Sequence, residues 1–195
     1  MSTAALHVSA SKEVVFAGDE VTLGGQIDYP MAKRPTSGYP LVFVLHHACC
    51  NTREDYVDYA QVALDQGFAV FRWDKRGTGR SGGGGRGSTT QDAVNAYEVA
   101  LSQPSVNPRQ AVILAVGAGT ALLGSSFGLF ARHQHPFGAI LVANMLDPDE
   151  VLAVDARTLI LMGEDDWNPA AIYGDAASHA HNATYKHGAT YRRIQ

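Results

Sequence analysis

The chain has 195 residues, 46% apolar and 17% charged, with a formal net charge of −4 and a pI near 6.0. That is ordinary globular material, enough for one substantial core and short for two, so a single domain over 1–195 is expected. With no run of basic residues it excludes an electrostatic nucleic-acid surface, and MSTAALHVSASKE at the N-terminus lacks the basic and apolar regions of a secretion signal.

Taken in order, SKEVVFAG and VTLGGQIDYP around Gly18-Asp19 predict an antiparallel strand pair, and a Pro/Gly-containing loop from Pro35 to Pro40 leads into a buried strand over Leu41–Leu45. Helices are expected over Glu54–Gln66, Thr90–Ser102, Ala118–His133 and Ala170–His181. Strands are expected over Ala69–Trp73, Val112–Val116, Ala139–Ala143 and Leu159–Met162, with a short last strand over Thr184–His187. Such alternation implies right-handed crossovers and a mostly parallel sheet with helices on both faces. Ligands on such sheets bind beyond the carboxyl ends of the strands. The one low-complexity piece, GGGGRG at 82–87, lacks the Lys-Ser/Thr ending of a phosphate loop and reads as a flexible connection. Cys49 and Cys50 are adjacent and are the only cysteines, so no disulfide framework exists and a reducing cytoplasm is expected.

The most informative stretch is PRQAVILAVGAGTALLGSSFGLFARH, residues 108–133. Apolar residues from Ala111 to Val116 run into the small Gly117, Ala118 and Gly119 and continue as an apolar helix. This is the outline of a nucleophile elbow, whose apex has a strained backbone and small neighbours two positions either side, here Ala115 and Gly119. The apex residue, Gly117, tolerates the strain but carries no hydroxyl or thiol. The same letters hold 21 uncharged residues, Ala111 to Ala131, and a Gly-x-x-x-Gly at Gly124 and Gly128, the marks of a membrane span. Four glycines, two serines and a threonine dilute the apolarity, and a buried strand plus a buried helix explains the stretch better.

PLVFVLHHACCN (40–51), FRWDKRGTGRSG (71–82), the elbow-like segment and TLILMGEDDWNP (158–169) follow one another in an order and at separations that resemble the α/β-hydrolase superfamily, most closely its small dienelactone-hydrolase-like and esterase-like members. The resemblance spans about 13–195. It implies a three-layer α/β-hydrolase fold with a mostly parallel twisted sheet and an antiparallel N-terminal strand pair. The short gap between Leu141-Val142 and Leu159 leaves no room for a cap domain. Counting forward from Asn107-Pro108 lands the family's nucleophilic serine on Gly117.

By the same resemblance the triad acid is Asp166, in the Gly-x-x-Asp after the penultimate strand, with Asp165 a solvated turn residue. The histidine phrase Gly-Ala-x-His corresponds to Gly188-Ala189-Thr190-Tyr191, which puts Tyr191 at the histidine position; a phenol of ordinary pKa near 10 is no proton relay at neutral pH. His187, four residues earlier, is the alternative imidazole. The oxyanion donors map to the amides of Ala118 and Ala48, both open to a carbonyl or carboxylate oxygen, with His47 standing where the family has glycine and able to fill or reshape the pocket. Asp74, Arg76, Gly77, Gly79 and Ser81 match a structural loop of the family. Contiguous His46, His47, Cys49 and Cys50 lack zinc-site spacing, so no metal and no cofactor are expected.

Gly124-Ser125-Ser126-Phe127-Gly128 satisfies Gly-x-Ser-x-Gly literally and makes Ser126 the alternative nucleophile, but it leaves only about a dozen residues to Ala139, where the family's helix needs nearly twenty. The expectation is therefore a pseudo-hydrolase with a degenerate triad that binds a small carbonyl or carboxylate compound. The counterpart is an active carboxylic-ester hydrolase using Ser126, Asp166 and His187, and a third possibility is non-covalent proton transfer by His47, Cys50 or Tyr191. No nucleic-acid or membrane partner is expected. The N-terminal pair at a sheet edge leaves a homodimer open, as does the flank that a further family helix, not supplied by this sequence, would cover.

Overall fold

The computed structural model describes residues 6–47, 50–164 and 174–194. The chain divides into two compact units, Met1–Val44 with Cys49–Ala111, and Leu45–Ala48 with Val112–Gln195.

In the first unit β1 (Ala10–Ala17) and β2 (Thr22–Tyr29) form the expected antiparallel pair, in register from Ala10 opposite Tyr29 to Ala17 opposite Thr22. The turn closes through the Gly18 N–H, which donates to the Val21 carbonyl at 2.7 Å. β2 runs antiparallel to β4 (Ala69–Trp73), and β3 (Tyr39–Leu45) runs parallel to β4, in the order β1-β2-β4-β3. Every residue of β4 is buried. Arg72 enters that interior only because Asp28 on β2 takes its guanidinium at 2.8 Å, so neither charge lies unpaired. The first expected helix resolves into a 3-10 turn, Arg53–Tyr56, and α1 (Val57–Asp65); α2 (Thr89–Leu101) follows, capped by the Ser88 hydroxyl.

In the second unit β5 (Val106–Val116), which begins in the first unit, β6 (Gly138–Val142), β7 (Arg157–Gly163) and β8 (Ala189–Ile194) run parallel in chain order. α3 (Ala118–His133) matches the expected bounds; its buried positions Gly119, Thr120, Leu123, Ser126, Phe127 and Phe130 follow the helical period. α4 (Gly174–Thr184) overlaps the expected last helix, whose first residues lie outside the described ones. Between β6 and β7 the chain makes only a 3-10 turn at Glu150–Ala153, so there is no cap domain. Among the described residues, eight strands, mostly parallel with an antiparallel N-terminal pair, and four helices give the α/β-hydrolase fold that the sequence resembles.

The last strand differs from expectation. Residues 184–187 are the end of α4 and a turn, with the Tyr185 N–H donating to His181 O at 2.8 Å and Gly188 at φ 76°; β8 follows from Ala189, paired through Thr158 opposite Ala189. The uncharged stretch 111–131 divides into the end of β5 and most of α3, and among the described residues no helix is long and apolar enough to cross a membrane.

Candidate active site

The elbow is formed. Gly117, between β5 and α3, has φ 52° and ψ −118°, the strained apex geometry that a glycine reaches without a steric penalty. Three contacts hold it. Its N–H donates to Val142 O at 2.8 Å, at the end of β6. Its carbonyl accepts from the Thr120 hydroxyl at 2.7 Å, and the same hydroxyl accepts the Met145 N–H at 2.9 Å. Gly119 lets the first turn of α3 lie on the end of β3, since a Cβ there would come to 2.5 Å from Leu45 O and 2.6 Å from His46 O.

His47 follows β3 and completes the arrangement in a way that corrects one expectation. The Ala118 N–H, counted above as open to a ligand oxygen, donates to His47 Nδ1 at 3.1 Å. The imidazole also fills the place of a side chain at 117, because a Cβ built on Gly117 would fall against Nδ1 and Cε1 of that ring. A nitrogen that accepts a hydrogen bond carries no proton, so the neutral ring holds its hydrogen on Nε2. In this pose His47 is a donor at Nε2, and it is no general base there.

Among the described residues, Ser126, His187 and Tyr191 are not gathered at the elbow. Ser126 is the ninth residue of α3, buried, about 12 Å along the axis from Ala118 at 1.5 Å per residue, and its hydroxyl lies 3.5 Å from that of Ser125. His187 precedes the amino end of β8, whereas Gly117 follows the carboxyl end of β5. Parallel strands place these at opposite ends, roughly 20 Å apart for strands of this length. His187 instead stacks on Tyr185 at 5.0 Å and has Nε2 3.7 Å from Asp155 Oδ1. No hydrogen bond joins Ser126 to His187: the Ser126 hydroxyl faces that of Ser125, and the His187 ring faces Asp155.

Tyr191 lies inside β8, opposite Ile160, against the start of α4, where a Cβ on Gly174 would come to 2.6 Å from its ring. This corrects its placement at the histidine position. Gly188-Ala189-Thr190-Tyr191 leads into the last strand, whereas the family's imidazole follows it. Asp166 and Ala48 lie outside the described residues, as does Cys49, and Cys50 is an exposed thiol. Among the described residues no three His, Cys, Asp or Glu side chains converge on a metal-sized site.

Two supports escaped the sequence reading. Thr120 ties the elbow to the loop after β6, and Asn144, fully buried, folds that loop by donating to Leu146 O at 2.8 Å and accepting the Leu146 N–H at 3.1 Å. Ala143 beside it has φ 49°, a strain that marks the turn. A threonine three residues past the elbow apex and an asparagine shortly after an apolar strand are the only sequence signals for either.

The loop after β4 is structural, as the resemblance implies. The Asp74 carboxylate accepts the N–H groups of Arg53 and Arg80, both at 2.9 Å, and Ser81 donates to the Asp74 carbonyl at 2.6 Å. Arg76 forks onto Asp92 at 2.6 and 2.9 Å. A Cβ at Gly79 would strike the Asp74 carboxylate.

A family model described as serine aminopeptidase, S33, within the hydrolases, matches residues 40–164. Comparison with curated proteins gives no match. Among solved structures, an α/β hydrolase from Vibrio vulnificus superposes with a TM-score of 0.72 at 15% identity over 95% of this chain and 74% of its own. A thermostable carboxylesterase from a metagenomic library gives 0.75 at 11% identity over 98% and 81%. An α/β serine hydrolase without a lid from Xanthomonas campestris gives 0.67 at 16% identity over 97% and 86%. A formed elbow between β5 and α3, no cap between β6 and β7, and a family match over more than half its length show that this chain belongs to the α/β-hydrolase superfamily, in the family described as serine aminopeptidase, S33.

Proposed function

We propose that this chain is a pseudo-hydrolase that binds a small carbonyl or carboxylate compound without a covalent step. The observation that carries the reading is Gly117 at the apex of an intact elbow. Acyl transfer in this fold begins with a side-chain oxygen attacking the carbonyl carbon while an imidazole takes its proton, and glycine supplies no oxygen to attack. The hydroxyl nearest in sequence on the same helix with the literal motif, Ser126, is two turns further on, inside the packed face.

Groups suited to binding lie at the described part of the elbow. The Ala118 amide begins α3 and is held by His47 Nδ1, so an electron-rich ligand oxygen would take this amide in exchange for the ring. The ligand this favours is small and acceptor-bearing.

The test is intact mass after exposure of the folded protein to a fluorophosphonate, beside titration with acetate and longer straight-chain carboxylates followed by amide NMR. The expected result is no adduct, with saturable shifts at Gly117 and Ala118. A stoichiometric adduct that vanishes in Ser126→Ala would establish the ester-hydrolase reading instead.

A further inference from the structure

We propose that the open sheet face of the second unit carries a binding groove for a small aromatic anion, a flat apolar body with one carboxylate or sulfonate. The groove lies towards the amino ends of β5 to β8, whereas Gly117 follows the carboxyl end of β5, so it stands apart from the elbow and from the reading above.

Burial along β7 alternates. Thr158, Ile160 and Met162 are buried, whereas Arg157 is exposed and Leu159 and Leu161 are half-buried. α4 covers the first of these faces, where a Cβ on Gly174 would meet Met162 and Tyr191. The second face holds a groove of about 400 Å³, within the range of small-molecule sites.

Strand register lays out its floor. Leu114, Ile140, Leu159 and Thr190 form one row across β5 to β8, and Val112, Gly138 and Arg157 form the row before it. Gly138 has no side chain to fill that second row; a Cβ built there would lie 3.9 Å from Val112 Cγ2. Phe137, an exposed aromatic, stands beside the gap. From β5 to β7 the floor spans roughly 10 Å, at about 4.8 Å between neighbouring strands, enough for a fused two-ring body lying flat on Val112, Ile140 and Leu159.

The charge is all of one sign. Arg157 and Arg192 line the groove, its lining holds no carboxylate, and among the described residues no acid pairs with either guanidinium. Arg157 Nε donates to His187 O at a long 3.5 Å, and the neighbouring Asp155 faces His135 and His187. Arg157 stands two residues before Leu159, and Arg192 two residues after Thr190, the partner of Leu159. Two residues of strand measure about 6–7 Å, within reach of an arginine side chain. Both guanidiniums can therefore close on one oxyanion seated over the Leu159–Thr190 pair, with the Thr190 hydroxyl as a further donor. A neutral aromatic would use the floor alone, and an inorganic anion the cations alone.

The experiment titrates the full chain with anilinonaphthalene sulfonate, and with phenylnaphthylamine as the same body without the charge. Fluorescence should give one saturable site per chain, and amide NMR should place the shifts at Ile140, Leu159 and Thr190, not at Gly117 and Ala118. The double variant Arg157→Gln/Arg192→Gln should weaken the sulfonate about tenfold and the neutral parent by less than about twofold. Arg193→Gln, next to Arg192 but on the other face of the strand, should change neither. Phe137→Ser should weaken both. All four positions are exposed, so the variants should keep the wild-type spectrum elsewhere.

No saturable binding overturns the groove as a site, and shifts gathered at the elbow overturn its location. A double variant that binds the sulfonate as wild type does, or no worse than Arg193→Gln, overturns the role of the two arginines. Equal weakening of the neutral parent overturns the preference for an anion.

Discussion

The ring of His47 occupies the space in which a side chain at Gly117 would project, so the two positions are fitted to each other. Gly117→Ala meets two penalties: a backbone at φ 52°, which disfavours a Cβ, and collision with the imidazole. We expect a loss of about 1–3 kcal/mol in stability by urea denaturation. In a His47→Gly background the collision disappears and the strain stays, so the double-mutant cycle should show a coupling of roughly 0.5–3 kcal/mol. Strict additivity would mean that the ring moves aside freely.

Thr120 holds the elbow from below through one hydroxyl that donates to Gly117 O and accepts from Met145 N–H. Thr120→Val preserves the shape and the Thr120 N–H bond to Gly117 O, but it leaves the Met145 N–H without its acceptor and removes the second bond to Gly117 O, at a cost of about 1–3 kcal/mol. Thr120→Ser keeps the hydroxyl and should cost clearly less. Equal losses for the two variants in chemical denaturation would show that the methyl group, and not the hydrogen bonds, matters there.

Two glycines of α3 should respond in opposite directions to alanine. At Gly119 the new methyl meets the carbonyl oxygens of Leu45 and His46, which are backbone and do not yield cheaply, so Gly119→Ala destabilises and shifts the neighbouring amide resonances. At the exposed Gly128 nothing lies within 4 Å, and Gly128→Ala should stabilise by roughly 0.5–1 kcal/mol through helix propensity. Thermal melts of the two variants on either side of wild type would bear this out, and a destabilising Gly128→Ala would refute it.

How much of this was legible in the letters differs by element. The end of β5 and all of α3 were readable because a continuous apolar run meets three small residues and then a helical period, signals that survive in any context. The last strand was not. Ala189–Ile194 carries two adjacent arginines and no apolar alternation, and as the last strand of its order it needs none, so Gly188–Tyr191 resembles the family's histidine phrase in spelling alone and Tyr191 stands inside the strand. His47 could be recognised as bulky from sequence, but its bond to the Ala118 amide depends on a loop rotamer. Thr120 and Asn144 find partners only once β6 and α3 are in place.

Burial lowers the pKa of His181, whose Nε2–H donates to Val154 O at 2.9 Å, with the neighbouring His187 acting in the same direction. The unfolded chain then binds the proton more readily than the folded one. Stability is complete above the unfolded value of about 6.5 and is lost as pH falls from there through the lowered folded value. The slope in that window should reach at most about 1.4 kcal/mol per pH unit and flatten in His181→Phe. Urea titrations from pH 7.5 downward measure it, and an unchanged slope in the variant would assign the effect to other groups.

Among the described strands β8 lies last in its order, and Asn182 takes the N–H and C=O of its first residue, Ala189, at 2.7 and 2.9 Å, leaving the rest of that side without a strand partner. Arg192 and Arg193 are both exposed and, being consecutive on a strand, present a positive charge to each face. A second β8 approaching in antiparallel register would bring arginine near arginine, and the repulsion guards this rim against sheet-to-sheet growth into aggregates. The residues that made the strand hard to find are its protection against polymerisation.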